Sequence, residues 1–211
     1  MNEIKSYYVR ERTEVAFHIP LNIKSILDIG CGQGAFLKLI KEKTKAETWG
    51  IEMVAAIGEK AKEHADKIFI GKAEDVLSSI PDYHFDCITF NDVLEHLLEP
   101  TEVLKMVRTK LSEKGLIVTS IPNVRYIRNL HELIINKDWE YKNEGILDST
   151  HFRFFTQKSM RRMFENAGYK IIKQIGINKI NTRKFRLFNF ISCGFFSDTK
   201  YLQFICIASK I

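Results

Sequence analysis

Three glycines alternate in Gly30-Cys31-Gly32-Gln33-Gly34, directly after the apolar run Ser25-Ile26-Leu27-Asp28-Ile29. Such a turn lets the backbone reverse sharply and lets a ligand approach the main chain. Phe36, Leu37, Leu39 and Ile40 then recur at helical spacing. The first turn of that helix offers unpaired N–H groups and a positive dipole end, which suit a carboxylate or a phosphate. Gly30-x-Gly32-x-x-Ala35 also satisfies the dinucleotide fingerprint, with Glu52 about 20 residues further on as its ribose acid.

Asp28 separates the two readings. A carboxylate two residues before the first glycine repels a pyrophosphate and welcomes a positive charge. S-adenosylmethionine (SAM) carries an ammonium, a sulfonium and a ribose, and no phosphate. On this reading Asp28 meets the ammonium, directly or through water. Glu52, at the end of the next strand, accepts two hydrogen bonds from the ribose hydroxyls, and charged acceptors make the stronger such bonds. Met53 follows it, as packing for an adenine or as core.

A second group of residues could move a proton. His96 follows Glu95 after an apolar strand, and His151 lies near Asp148 and Arg153. Histidine takes up a proton near neutral pH, so either is a candidate base. Tyr126 is a third candidate. Asn123, Arg125 and Arg153 are candidate substrate-binding groups, in a polar segment that could cover an acceptor.

These residues need a scaffold that gathers strand ends. Apolar runs predict strands at 25–30, 47–51, 67–71, 85–90, 115–121, 169–178 and 201–209. Helical periodicity predicts helices at 33–44, 54–65, 100–110 and 157–167. Strand–helix alternation implies a parallel sheet with helices on both faces. Ligands then bind outside the carboxyl ends of the strands. Two long segments, 122–156 and 179–200, break the rhythm and are expected to cover the substrate. The second is basic and aromatic, so it could also serve as a homodimer surface. Residues 1–22 are expected to form a lid-like segment of the same single domain, 1–211.

The 211 residues suffice for one domain with a substantial core. No run reaches the length of a membrane span, and Met1 to Arg12 is too charged for a secretory signal, so the cytoplasm is the expected location. Four cysteines form no CxxC pair, and no convincing metal cluster is visible, so no metal is expected. The net charge of +6 is uneven: residues 158–211 hold 11 Lys or Arg against Glu165 and Asp198, which leaves −3 for the rest. A basic tail suits an acidic acceptor, an anionic membrane surface or nucleic acid.

The motifs resemble the class I SAM-dependent methyltransferases. Asp28-Ile-Gly-Cys-Gly-Gln-Gly34 resembles that family's first motif, Ile51-Glu52-Met53 its second, and Phe90-Asn91-Asp92-Val93-Leu94-Glu95-His96-Leu97 its segment after strand four. The resemblance covers roughly residues 20 to 178. It implies a Rossmann-like α/β fold: a seven-stranded, mostly parallel sheet whose last strand is antiparallel. It implies that Gly30, Gly32, Gln33 and Gly34 hold the methionine part of SAM and that Asn91 and Asp92 line the pocket. Where the family often has an adenine-binding Asp this chain has Lys72, which lacks an acceptor, so the Ala73 backbone and the Glu74 side chain are the expected substitutes. In relatives a histidine at the position of His96 is more often structural, which leaves His151 as the preferred base. Ile121-Pro122-Asn123 and the stretch Gly145 to Thr156 resemble a branch of small bacterial methyltransferases often found beside surface-polysaccharide genes.

The expected activity is methyl transfer from SAM to a small polar, anionic acceptor: an oxygen of a sugar, nucleotide-linked or phosphorylated intermediate. N-methylation of a small amine, nucleic-acid methylation and NAD(P)-dependent oxidoreduction are the alternatives. The segment 179–200 permits the nucleic-acid reading, but no base-methylating Asn-Pro-Pro-Tyr motif accompanies it.

Overall fold

The computed structural model describes residues 10–211. Seven strands form one sheet: β1 (Ser25–Ile29), β2 (Glu47–Glu52), β3 (Lys67–Ile70), β4 (Phe85–Asn91), β5 (Leu111–Pro122), β6 (Tyr169–Lys179) and β7 (Tyr201–Lys210). Their order is β3-β2-β1-β4-β5-β7-β6. The first five run parallel, and β7 pairs antiparallel with both β5 and β6. This is the Rossmann-like α/β sheet that the methyltransferase resemblance implies. The chain leaves β1 in one direction and returns to its other side at β4. That reversal opens a crevice at the carboxyl ends of β1 and β4, where open α/β sheets bind ligands.

Strand alternation divides the core between two faces. Ile26 and Cys87 point to one face, with Val118 and Ile205. There they meet Val15 and Ala16 of α1 (Thr13–Ala16), Phe36, Leu37 and Ile40 of α2 (Ala35–Thr44) and Ala61 of α3 (Ala55–Ala61). Leu27, Ile88 and Phe90 point to the other face. That face is closed by Ala73 of α4 (Ala73–Val76), Val103, Leu104 and Val107 of α5 (Pro100–Lys110), and Met160, Met163 and Phe164 of α7 (Gln157–Asn166). Local signals set the helix starts. Pro100 supplies a preset φ at the start of α5, and Thr156 and Ser159 form a reciprocal capping box at α7.

The two irregular segments contain structure that periodicity did not predict. Residues 122–156 include α6 (Ile127–His131) and a π turn, Glu132–Asn136. Residues 179–200 include α8 (Arg183–Ile191), capped by Thr182. The predicted helix 54–65 stops at Ala61, and β5 begins earlier than expected, at Leu111. Of the segment 1–22, residues 1–9 lie outside the described residues; Val15, Ala16 and Ile19 are buried against the sheet. Among the described residues no helix is long and apolar enough to cross a membrane.

Candidate active site

The glycine turn is clamped to the end of β2. Gly30 N and Cys31 N both donate to Ile51 O, at 2.8 and 3.1 Å. Gly32 N donates to Glu52 Oε2 and Val54 N to Glu52 Oε1, each at 2.9 Å. Gly30 and Gly34 have φ of 73° and 81°, the left-handed region that favours glycine. A Cβ on Gly30 would also lie 2.5 Å from Val93 Cγ2, so this glycine lets the segment after β4 close onto the turn.

Asp28 is enclosed in the sheet opposite Thr89. Its Oδ1 accepts from Thr89 Oγ1 at 2.6 Å and from Asn91 Nδ2 at 3.1 Å. Burial pushes its carboxyl up to about 7, against the lowering effect of these two hydrogen bonds. Gln33 Nε2 and Asn91 Oδ1 are buried with no hydrogen-bond partner among the described residues. Such groups are costly unless a ligand or water satisfies them. An orphaned donor in the turn, and an orphaned acceptor on the Asn91 side chain that bonds Asp28, fit a small zwitterion such as the methionine part of SAM. Glu52 adds acceptor capacity for a ribose, since a carboxylate can take more than the two bonds it already accepts.

The adenine side is less enclosed. Gly71 N donates to Glu52 O at 3.0 Å, which seats Ala73 and Glu74 beside β2 in the first turn of α4. The Ala73 methyl is in the core, Glu74 is exposed, and Met53 is 62% exposed at the rim rather than in the core. The Asp92 carboxylate is partly buried and is engaged by neighbouring side chains. It pairs with the Arg12 guanidinium and accepts from Ser120 Oγ and Gln203 Nε2, both at 2.8 Å.

The candidate bases come together. His96 and His151 pack with ring centroids 4.6 Å apart. Phe152 N and Arg153 N both donate to Glu95 O, at 2.9 and 3.1 Å, which docks this stretch on the turn after β4. Burial, and then the neighbouring His151, hold the His96 imidazole below its ordinary pKa and so neutral. Tyr126 opens α6 and joins neither imidazole.

The three candidate substrate-binding residues instead tie the fold together. Asn123 is buried, donating to Asp198 O and Tyr201 O at 3.1 and 3.0 Å and accepting from Arg125 N. Arg125 forms an ion pair with Asp198 at 2.7 Å. Arg153 donates to Leu98 O and pairs with Glu99. Sequence reasoning missed Thr89, Arg12, Gln203 and the Glu95 side chain. Only Thr89 left a signal: two residues before Asn91 in a strand, it must face the same way.

The chain matches a family model described as "Methyltransferase domain" over residues 1–174. It is 24% identical over 169 residues to the ubiquinone biosynthesis O-methyltransferase of Neisseria meningitidis serogroup C (strain 053442), covering 76% of this chain and 69% of that one. It is 25% identical over 213 residues to the enzyme of the same name from Actinobacillus pleuropneumoniae serotype 5b (strain L20), covering 95% and 87%. Among solved structures, a SAM-dependent methyltransferase from Archaeoglobus fulgidus superposes with a TM-score of 0.69 at 21% identity, over 97% of this chain and 93% of that one. Another, from Aquifex aeolicus, superposes with a TM-score of 0.63 at 15% identity, over 97% and 92%. These two likenesses establish the fold. The dinucleotide reading of the glycine spacing is thereby set aside: the chain belongs to the methyltransferase-domain family and is a SAM-dependent methyltransferase.

Proposed function

We propose that this enzyme methylates a hydroxyl oxygen of a small polar molecule. The observation that carries the reading is the imidazole pair, His96 and His151, gathered at the carboxyl end of β4. Bound SAM supplies a methyl group on a sulfonium, so the reaction demands only a nucleophile in line and a place for its proton. Asp28, Gln33 and Asn91 would hold the amino-acid end, and Glu52 the ribose. The Glu95–His96–His151 corner is then where an acceptor hydroxyl loses its proton.

The printed names of the curated relatives, O-methyltransferases, support oxygen as the acceptor atom. Arg125 and Arg153 lend no support to an anionic acceptor, because both are spent on Asp198, Leu98 and Glu99. The test is a panel of matched hydroxyl and amine compounds, spanning phenols, sugars, nucleotide sugars and phosphorylated metabolites, incubated with enzyme and SAM. Release of S-adenosylhomocysteine with hydroxyl members alone supports the proposal. Turnover confined to the amines overturns it.

A further inference from the structure

Glu95 lies in the 3-10 turn Leu94–His96 and is 1% exposed. Both of its carboxylate oxygens are buried with no hydrogen-bond partner among the described residues. Leaving a buried carboxyl unpaired is expensive.

The two imidazoles are already set for a cation. His151 Nδ1 lies 2.9 Å from Ile146 O, and His96 Nδ1 lies 3.1 Å from Thr150 O. A carbonyl oxygen can only accept, and the Thr150 hydroxyl beside His96 Nδ1 already donates to Asp148, so each Nδ1 is placed as a donor and each Nε2 is left for a ligand. A backbone carbonyl on one ring nitrogen is the usual device that orients a metal-binding histidine through the other. One ligand atom from each of Glu95, His96 and His151 lies within 4.8 Å of the other two. Ligands about 2.1 Å from a tetrahedral ion are about 3.4 Å apart, so small side-chain rotations close the site.

We propose that Glu95, His96 and His151 bind a single divalent first-row transition cation of the Zn²⁺ or Mn²⁺ kind, with the remaining coordination positions open. Two imidazoles and one carboxylate suit these ions, whereas Mg²⁺ and Ca²⁺ prefer oxygen ligands throughout. The cation would bridge the turn after β4 to the cover segment. Its catalytic role rests on the oxygen-acceptor reading above: an acceptor hydroxyl at an open position would lose its proton more readily, and the imidazoles would serve as ligands rather than as bases. The binding site itself does not depend on that reading.

The experiment uses the full chain, stripped with a chelator and shown to be metal-free. Calorimetry with ZnCl₂, MnCl₂ and MgCl₂ is paired with the visible spectrum of added Co²⁺. Binding of one Zn²⁺ or Mn²⁺ per chain, weaker binding of Mg²⁺ and Co²⁺ ligand-field bands are expected. Glu95→Gln, His96→Ala and His151→Ala should each weaken the cation by about tenfold or more. Glu95→Gln keeps the shape of the side chain, and unchanged S-adenosylhomocysteine affinity certifies each variant as folded. Absence of binding, or binding indifferent to all three substitutions, overturns the site. Full turnover by verified metal-free enzyme overturns the catalytic role and leaves oxygen methylation standing. Cation binding with methylation confined to amines supports the site and overturns the acceptor reading.

Discussion

Glu52 reaches back to the backbone of Gly32, accepting its N–H at 2.9 Å, so the acid at the end of β2 holds the shape of the turn after β1. On the proposed binding mode, this one side chain organises the methionine end of the cofactor and offers acceptors to its ribose. Glu52→Ala should remove both effects. Each lost charge-assisted bond is worth roughly 1.5–3 kcal/mol, so S-adenosylhomocysteine affinity should fall by about a hundredfold or more in calorimetry. An unchanged affinity in a folded variant would remove Glu52 from the site.

Asp28 makes both stability and cofactor binding depend on pH. Its folded value of about 7 stands above the unfolded carboxylate value of about 4. Between those values the native state holds more protons than the unfolded one, so Asp28's contribution is full below about 4 and declines as pH rises to about 7. Glu95, also raised, adds a decline of the same sign. Asp28→Asn should therefore flatten the fall of melting temperature with pH relative to wild type. A cofactor ammonium favours ionised Asp28, so wild-type binding should strengthen as pH rises through 7, with proton release visible as a buffer-dependent binding enthalpy. Identical pH profiles for variant and wild type would contradict this.

How much of this was legible in the sequence follows from what each signal measures. The apolar runs located all seven strands: six carry buried residues, and the edge strand β3 pairs with β2 with its apolar side chains only partly covered. Asp28, the glycines and Glu52 stood out because they interrupt such runs. Helices α6 and α8 were not expected: α6 has five residues, too few to show a period, and α8 lies in a basic, aromatic segment expected to serve as a cover, with Phe190 and Ile191 largely exposed. The pairing of His96 with His151 depends on backbone bonds from residues 152 and 153 to Glu95 O, a tertiary event with no local signature. Asn123, Arg125 and Arg153 looked like substrate ligands because polarity alone does not reveal that Asp198, Tyr201 and Leu98 already engage them.

Lys72 precedes α4 with an extended backbone and offers no acceptor to an adenine. Lys72→Ala should leave S-adenosylhomocysteine affinity within a few fold. A hundredfold loss, about 2.7 kcal/mol, would show that the lysine contacts the cofactor.

Arg12 tests the role of the chain before β1. Its guanidinium is largely buried, pairs with the Asp92 carboxylate, whose side chain is 25% exposed, and donates to Ser120 Oγ at 2.6 Å, linking that segment to the ends of β4 and β5. Such a part-buried pair lies between surface and buried bridges, so Arg12→Ala should cost on the order of 1–3 kcal/mol in urea unfolding. Loss of less than about 0.5 kcal/mol would place the pair among weak surface bridges.

His151 separates acceptor chemistry from cofactor binding. His151→Ala should lower kcat by about 10²–10⁴-fold, the usual reach of assisted proton removal. S-adenosylhomocysteine affinity should barely change, because the Gly30–Gly34 turn and Glu52 lie apart from the imidazole pair. Near-normal turnover would move proton removal to another group.

The most direct test of oxygen methylation is the fate of a ¹³C-labelled methyl group. SAM carrying ¹³C in its methyl is turned over with the best acceptor from the panel, and the product is examined by carbon NMR. The account predicts a methyl ether signal, matched one for one by S-adenosylhomocysteine and lost together with turnover in His151→Ala. A label on nitrogen, or consumption of SAM with no methylated product, would contradict it.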